Sequence, residues 1–336
     1  MSLHTNRRTF LQEAALWTAA WGGLGLPIVG RKSTESRAGE DKQVKSELPA
    51  SIVDTHQHLW DLQKFNLPWT KGNTVLGKSF VTADYLAATK GLHVDKSVYM
   101  EVDVHPSQQV QEAEYVIDLC QRKDNPMVAA VISGRPASAE FKAYITKFKG
   151  SPYIKGVRQV LHGDDTPAGY CLDKQFVKSL QLLGELGMSF DLCMRSGELA
   201  DAEKLVAQCP KTKFIVDHCG NMSVQESDEK QRGVWMDGMK ALAQHENTVC
   251  KISGIVATAK KDWKPADLQP NISYSMKTFG PDRVMFGGDW PVCTLAATYR
   301  QWVEALQSIV ADVPATEQRK LFHDNAVKFY GLKAKA

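Results

Sequence analysis

Residues 189–218 read SFDLCMRSGELADAEKLVAQCPKTKFIVDH, and this stretch decides the fold. Ser189–Met194 is a short run of strand character. Leu199, Ala202, Leu205, Val206 and Cys209 then recur at helical spacing, and Lys213–His218 returns to a strand run. Working outward, the same alternation repeats. Further strands are predicted over Ile52–His56, Ser97–Val102, Val128–Ser133, Ile154–Gln159, Thr248–Ser253 and Val284–Asp289. Between them lie amphipathic stretches: Val110, Ala113, Ile117 and Cys120; Phe141, Tyr144, Ile145 and Phe148 behind the cap candidate Ser138; Phe176, Leu180 and Leu183; Trp302, Val303, Leu306 and Val310. Apolar strands that each lead into a helix imply a parallel sheet covered on its outer face. Eight such units predict one α/β domain over residues 51–332, a closed (β/α)8 TIM barrel. A doubly wound open sheet is the alternative, but no Gly-x-Gly-x-x-Gly follows any strand.

Composition agrees with one large globular domain. The chain has 336 residues, 43% of them apolar and 24% charged, which excludes wholesale disorder and a fibrous repeat. Its net charge of +3 is carried by residues 1–38, where Arg7, Arg8, Arg31, Lys32 and Arg37 outnumber Glu13 and Glu35. A neutral body carries no electrostatic footprint for nucleic acid. Seven cysteines without a Cys-x-x-Cys read as buried thiols, not as a disulfide framework or a structural zinc cluster.

Near the N-terminus, Asn6-Arg7-Arg8-Thr9-Phe10-Leu11 precedes an apolar stretch, Ala14 to Gly30, broken by Gly22, Gly23, Gly25 and Pro27. The stretch is shorter than the ~20 unbroken apolar residues of a spanning helix. The order of its parts, over residues 1–30, resembles a twin-arginine export signal, with a plain membrane anchor as the alternative. Residues 31–50 are poor in large apolar side chains and read as a flexible linker. The expectation is a periplasmic protein, exported in folded form and without a stable membrane span after export.

In such a barrel the reactive groups sit at the C-terminal strand ends. The first predicted strand closes with Asp54-Thr55-His56-Gln57-His58, the sixth with Asp217-His218, and the eighth with Gly287-Gly288-Asp289-Trp290-Pro291. In His-x-His both imidazoles point to one face of an extended segment. Barrel closure brings Asp289 beside them, and His218 faces them across the mouth. Three imidazoles and a carboxylate can hold one zinc-type divalent metal. They can equally polarise a carbonyl while the carboxylate activates water.

The run Val53-Asp54-Thr55-His56-Gln57-His58-Leu59-Trp60-Asp61 resembles the opening of the amidohydrolase superfamily. More narrowly it is similar to the sugar-lactone hydrolase branch that includes L-fuconolactonase, L-rhamnono-lactonase and pyrone-dicarboxylate lactonase. Lys155-Gly156-Val157-Arg158, Val216-Asp217-His218, Phe286 to Val292 and Asn325 to Leu332 support the likeness, which spans residues 51–332. Strand four ends in Arg158-Gln159 and strand five in Asp191-Leu192-Cys193-Met194-Arg195, without the carboxylated lysine or histidine of binuclear relatives. A two-metal site is therefore not expected. The resemblance implies a hydrolase that opens a sugar-acid lactone by water attack. Asp289 is the general base, and His56, His58 and His218 either bind a metal, with Asp289 as a ligand, or act metal-free on the carbonyl. No Gly-x-Ser-x-Gly elbow points to a covalent serine.

Further candidates line the predicted mouth. Arg158 is placed to hold a substrate carboxylate or sugar hydroxyls, or to form an ion pair at the rim. Glu101 is placed to bind sugar hydroxyls or approach the metal, or to form a rim salt bridge. His162 lies just past strand four, His105 past strand two, and Arg195 at the end of strand five. Trp60 and Trp290, with Phe65 and Trp69, are read either as a wall that stacks on sugar rings or as packing beneath the 60–80 loop. Two other functions compete: a zinc-dependent decarboxylase of the same superfamily, and a non-catalytic sugar-binding barrel. The partner expected is a small molecule, and no oligomeric state is read from the sequence.

Overall fold

The computed structural model describes residues 49–333. The expected export signal at 1–30 and most of the expected linker, residues 31–48, lie outside the described residues. Eight parallel strands follow one another around the sheet. They are β1 Ile52–Gln57, β2 Val94–Met100, β3 Met127–Ser133, β4 Ile154–Val160, β5 Ser189–Cys193, β6 Lys213–Val216, β7 Thr248–Ile252 and β8 Val284–Phe286. A helix follows each: α1 Thr82–Thr89, α2 Gln109–Gln121, α3 Phe141–Ile145, α4 Lys174–Glu185, α5 Leu199–Gln208, α6 Glu229–Ala243, α7 Pro265–Phe279 and α8 Tyr299–Ile309. Two short helices, α9 Ala315–Arg319 and α10 Asn325–Tyr330, end the fold. This is a (β/α)8 TIM barrel. Among the described residues, no helix is long and apolar enough to cross a membrane.

The predicted apolar stripes face inward. In α4, Phe176, Leu180 and Leu183 are buried, and the Asp173 carboxylate caps the helix by accepting from the Gln175 and Phe176 amides. The third helix is shorter than predicted. It ends at Ile145 in a tighter turn that still buries Phe148, and Ser138 accepts from the Glu140 amide in the turn before the helix. None of the seven cysteines forms a disulfide, and all are buried. The barrel interior is filled low down by Val53, Val98, Val131, Ile215, Val249 and Met285, with Ala326 and Tyr330 of α10 packed against them.

Strands six and eight stop short of their predicted ends, at Val216 and Phe286. Beyond them His218 and Asp289 have φ of +52° and +49°, in the left-handed region that side chains rarely occupy. The extended ladder cannot continue through such residues. The backbone turns over the mouth and carries both side chains with it.

Closure between β8 and β1 is made by few contacts. Thr55 Oγ1 donates to Phe286 O at 2.6 Å and the His58 amide donates to Trp290 O at 2.8 Å. Asp54 supplies the rest. One carboxylate oxygen accepts from the Gly288 amide (2.7 Å) and the His56 amide (3.0 Å). The other accepts from Tyr85 of α1 (2.8 Å) and Tyr299 of α8 (3.0 Å). The pairing of β1 with β2 is irregular between Asp54 and Gln57. This shift lets Asp54 face the helices while His56, two residues on, faces the interior. Burial pushes the Asp54 carboxyl upward, opposed by all four donors. Asp54→Ala is expected to cost about 3 kcal/mol or more, because buried donors lose their only shared acceptor. Urea unfolding measures that loss, and Tyr85→Phe should cost clearly less.

Candidate active site

The residues at the strand mouths converge. Ligand atoms of His56, His58 and Asp289 lie within 4.8 Å of one another, and all three residues are buried. Asp289 Oδ1 stands 3.2 Å from His58 Nε2 and 3.7 Å from His56 Nε2. The His218 ring is tilted against His56 with centroids 4.4 Å apart, and His56, Asp217 and His218 form a second group of close donor atoms.

Glycines make room for these rings. At Gly254, with φ of +67°, a Cβ would fall 2.1 Å from His218 Nδ1. At Gly287 it would fall 2.7 Å from the Cβ of His56. Neither neighbour yields easily: the His56 Cβ is fixed to its own backbone, and the His218 ring is held by its bond to Ser253.

Hydrogen bonds set the imidazole roles. His58 Nδ1 faces the carbonyls of Met100 (3.0 Å) and Glu101 (3.1 Å), so it carries a proton and donates. His58 Nε2 then meets the Asp289 oxygen as a lone pair unless it too is protonated. Two facing acceptors repel unless a cation lies between them, whether a proton or a metal ion. The donor set therefore fits a divalent metal held by His56, His58 and Asp289. Arg158 Nη1 approaches His56 Nε2 at 3.2 Å and competes for the same lone pair. Burial drives the His56 imidazole well below its ordinary value, with Asp217 only partly opposing, so His56 is neutral. Burial also lowers His218, against the pull of Asp289 and Asp217, and its Nδ1 bonds Ser253 Oγ at 2.9 Å.

Arg158 and Glu101 do not stand open at the rim. Both are buried inside the mouth. Arg158 Nε donates to Glu101 Oε1 (2.7 Å) and Nη2 to the Glu101 carbonyl (2.8 Å), while Nη1 lies 3.4 Å from Asp217 Oδ2. Of the two roles read from sequence, the structure shows the ion pair, set beside His56 and deeper than the rim. Trp60 is a correction of the same kind. It is wholly buried, donates from Nε1 to Lys78 O and packs on Trp69 and Phe80, so it braces the 60–80 loop and offers no stacking face. Trp290 is buried against Phe80 and Tyr85. His162 is half-buried in the loop after β4. Arg195 ties its own loop down through Glu198 and the Thr166 carbonyl, and His105 bonds Ser107.

Residues without a predicted role complete the site. Arg135, at the end of β3, pairs with Asp103 at 2.8 Å. Asp217, Ser253, Asp191 and Lys251 surround the histidines from below and beside. Asp191 and Lys251 had a signal in the sequence: each is a charge inside an otherwise apolar strand.

The chain matches the amidohydrolase family over residues 53–332. The chain belongs to the amidohydrolase family. A relative named L-fucono-1,5-lactonase from Burkholderia multivorans is 26% identical, over 83% of this chain and 96% of its own length. One named L-rhamnono-gamma-lactonase from Scheffersomyces stipitis is 24% identical, over 84% of this chain and 98% of its own. A zinc-bound amidohydrolase structure from Burkholderia multivorans superposes with a TM-score of 0.74 at 22% identity, over 84% of this chain and 100% of the other.

Glu112, on α2, supports this family site from outside the mouth. It accepts from the Val102 amide (2.9 Å) and the Tyr99 hydroxyl (3.0 Å) and fixes the backbone just past Glu101. Burial, then the charge of Glu101, push its carboxyl up to about 8. The folded protein thus keeps a proton that the unfolded chain releases near the ordinary glutamate value. The resulting stabilisation is complete below that value and is lost as pH rises toward 8. Glu112→Gln should match the wild type in melting temperature near pH 5 and exceed it at pH 8.5 by about 2 °C or more. Melting curves across pH would show no divergence if Glu112 titrates normally.

Proposed function

We propose that this amidohydrolase opens a sugar-acid lactone or a related cyclic ester by direct attack of water. The observation that carries the reading is the convergence of Asp289, His56 and His58 at the strand mouths, with His218 packed on His56. The lactonase names of its relatives support it.

Hydrolysis of a lactone passes through a tetrahedral oxyanion. Asp289 takes a proton from the attacking water and returns it to the leaving alkoxide of the opened ring. His218 serves the carbonyl oxygen. His218 Nδ1 bonds the Ser253 hydroxyl, and in the tautomer where Ser253 donates there, the proton on Nε2 is free to donate to the developing oxyanion. A divalent metal bound by His56, His58 and Asp289 would supply Lewis-acid polarisation and a more acidic water. The buried Arg158–Glu101 pair keeps His56 in place at the mouth.

Two measurements test this. A pH-indicator screen of sugar-acid lactones, run with and without a chelator beside metal analysis, should find turnover. Asp289→Asn should lower kcat by ~10²–10⁴-fold with KM changed far less. A folded variant at near wild-type rate would remove Asp289 from the mechanism. Absence of turnover across the whole screen would instead favour a binding role for the His-rich mouth.

We also infer export in folded form through the Arg7-Arg8 leader. Replacing both arginines by lysine keeps the charge and should leave the enzyme in the cytosol. Unchanged periplasmic protein in a fractionation experiment would refute it.

A further inference from the structure

Lys251 is the fourth of five residues in β7, wholly buried, between Cys250 and Ile252. Burying an ammonium group costs several kcal/mol before any partner is counted, and a methionine would fill the space without that cost. Its surroundings explain why a charge is there. Nζ donates to Asp191 Oδ2 from β5 and stands 3.5 Å from Asp217 Oδ1, just past β6. The register of β5, β6 and β7 brings these residues together around one side of the interior. From the other side, Asp217 Oδ1 is 3.5 Å from His56 Nδ1, and Asp217 Oδ2 is 3.4 Å from Arg158. Asp217 is thus held between two cations and a catalytic-site imidazole, with no exposed surface. Three buried atoms in this group, Asp191 Oδ1, Asp217 Oδ1 and His56 Nδ1, make no direct hydrogen bond. Attraction between charges, more than hydrogen bonding, keeps them together.

We propose that Lys251 is a positioning residue. Its ammonium, shared between Asp191 and Asp217, holds the Asp217 carboxylate beside His56 Nδ1. His56 is thereby fixed with its proton on Nδ1 and its Nε2 lone pair turned toward Arg158 and the pocket. Lys251 is sealed below the mouth and acts through Asp217 alone. The proposal rests on the reading of His56 as a working imidazole. The competing role for Lys251 is simpler: it neutralises Asp191 so that the barrel can fold.

One charge-balanced double variant and its two single variants separate these roles in the full-length protein. Lys251→Met leaves Asp191 without its cation and Asp217 with Arg158 alone, and is expected to fold poorly. The double variant Asp191→Asn with Lys251→Met removes the pair together and should restore folding. Asp191→Asn alone keeps Lys251 on Asp217. Nitrogen-15 NMR of the imidazoles, with the His56 signals assigned by their loss in His56→Gln, reads the tautomer without any substrate. In the wild type and in Asp191→Asn, His56 should be a single Nδ1–H tautomer. In the folded double variant it should become a mixture, and kcat should fall about 10- to 100-fold with KM nearly unchanged. A folded double variant with an unaltered His56 tautomer and wild-type kcat overturns the proposal and leaves Lys251 a folding residue. A tautomer change in a protein that turns over no lactone supports the positioning role and refutes the lactonase reading alone.

Discussion

The Asp54 carboxylate accepts hydrogen bonds from β1, from the turn beyond β8, and from α1 and α8. Everything at the mouth depends on this junction. Gly288 directly precedes Asp289, and His56 follows Asp54 by two residues. One carboxylate oxygen therefore sets the spacing between the candidate base and the first imidazole. Direct closing contacts between β1 and β8 are sparse, because β8 stops at Phe286. A carboxylate with both oxygens saturated is stiffer than a pair of short strand ends. It can hold Asp289 in a left-handed conformation that the local sequence would not choose. Gly288 must lack a Cβ for the same reason, since one would fall 2.6 Å from Asp54 Oδ2 and 2.3 Å from the Tyr299 ring.

Above the apolar floor, the barrel interior carries an unusual density of buried charge. Glu101 is pushed up by burial, yet Arg158 and Arg135 overcome this and hold it below the ordinary value. Burial likewise raises Asp217, but Lys251 and His56 outweigh it and leave it well below. Asp191, more weakly compensated, is pushed up to about 7 by burial despite Lys251. Such pairs are weak sources of stability, because desolvation consumes most of the attraction between them. Their use here is geometric. Arg158 and Asp217 each touch His56 on a different nitrogen, so the ring cannot rotate without breaking one contact or the other.

The barrel itself was legible because its signal is repeated: alternating apolar strands and amphipathic helices recur, and an error in one unit does not change the fold. The candidate site was legible where it coincides with strand ends, as at His56, His58, His218 and Asp289. It was less legible where a side chain's direction decides its role. Arg158 reads equally well as a rim clamp or an ion pair, since only the register of β3 on β4 and the position of Glu101 turn it inward. Trp60 reads as a stacking wall until the bridge between Trp60 and Phe80 folds the loop over it. Lys251 and Asp191 are visible as charges in apolar runs, but no local period says which strand each will face. Non-local register supplies that information.

The arrangement also explains why the interior is layered. Apolar residues of the strands, packed against α10, form the floor of the interior. That low-dielectric floor strengthens the attraction among Lys251, Asp217 and Arg158 in the layer above. A rigid middle layer can then hold neutral imidazoles in the top layer, where Asp289 and His218 meet the mouth. In the proposed lactone hydrolysis the base therefore works at the open end of the barrel, above a layer of paired charges with almost no exposed surface.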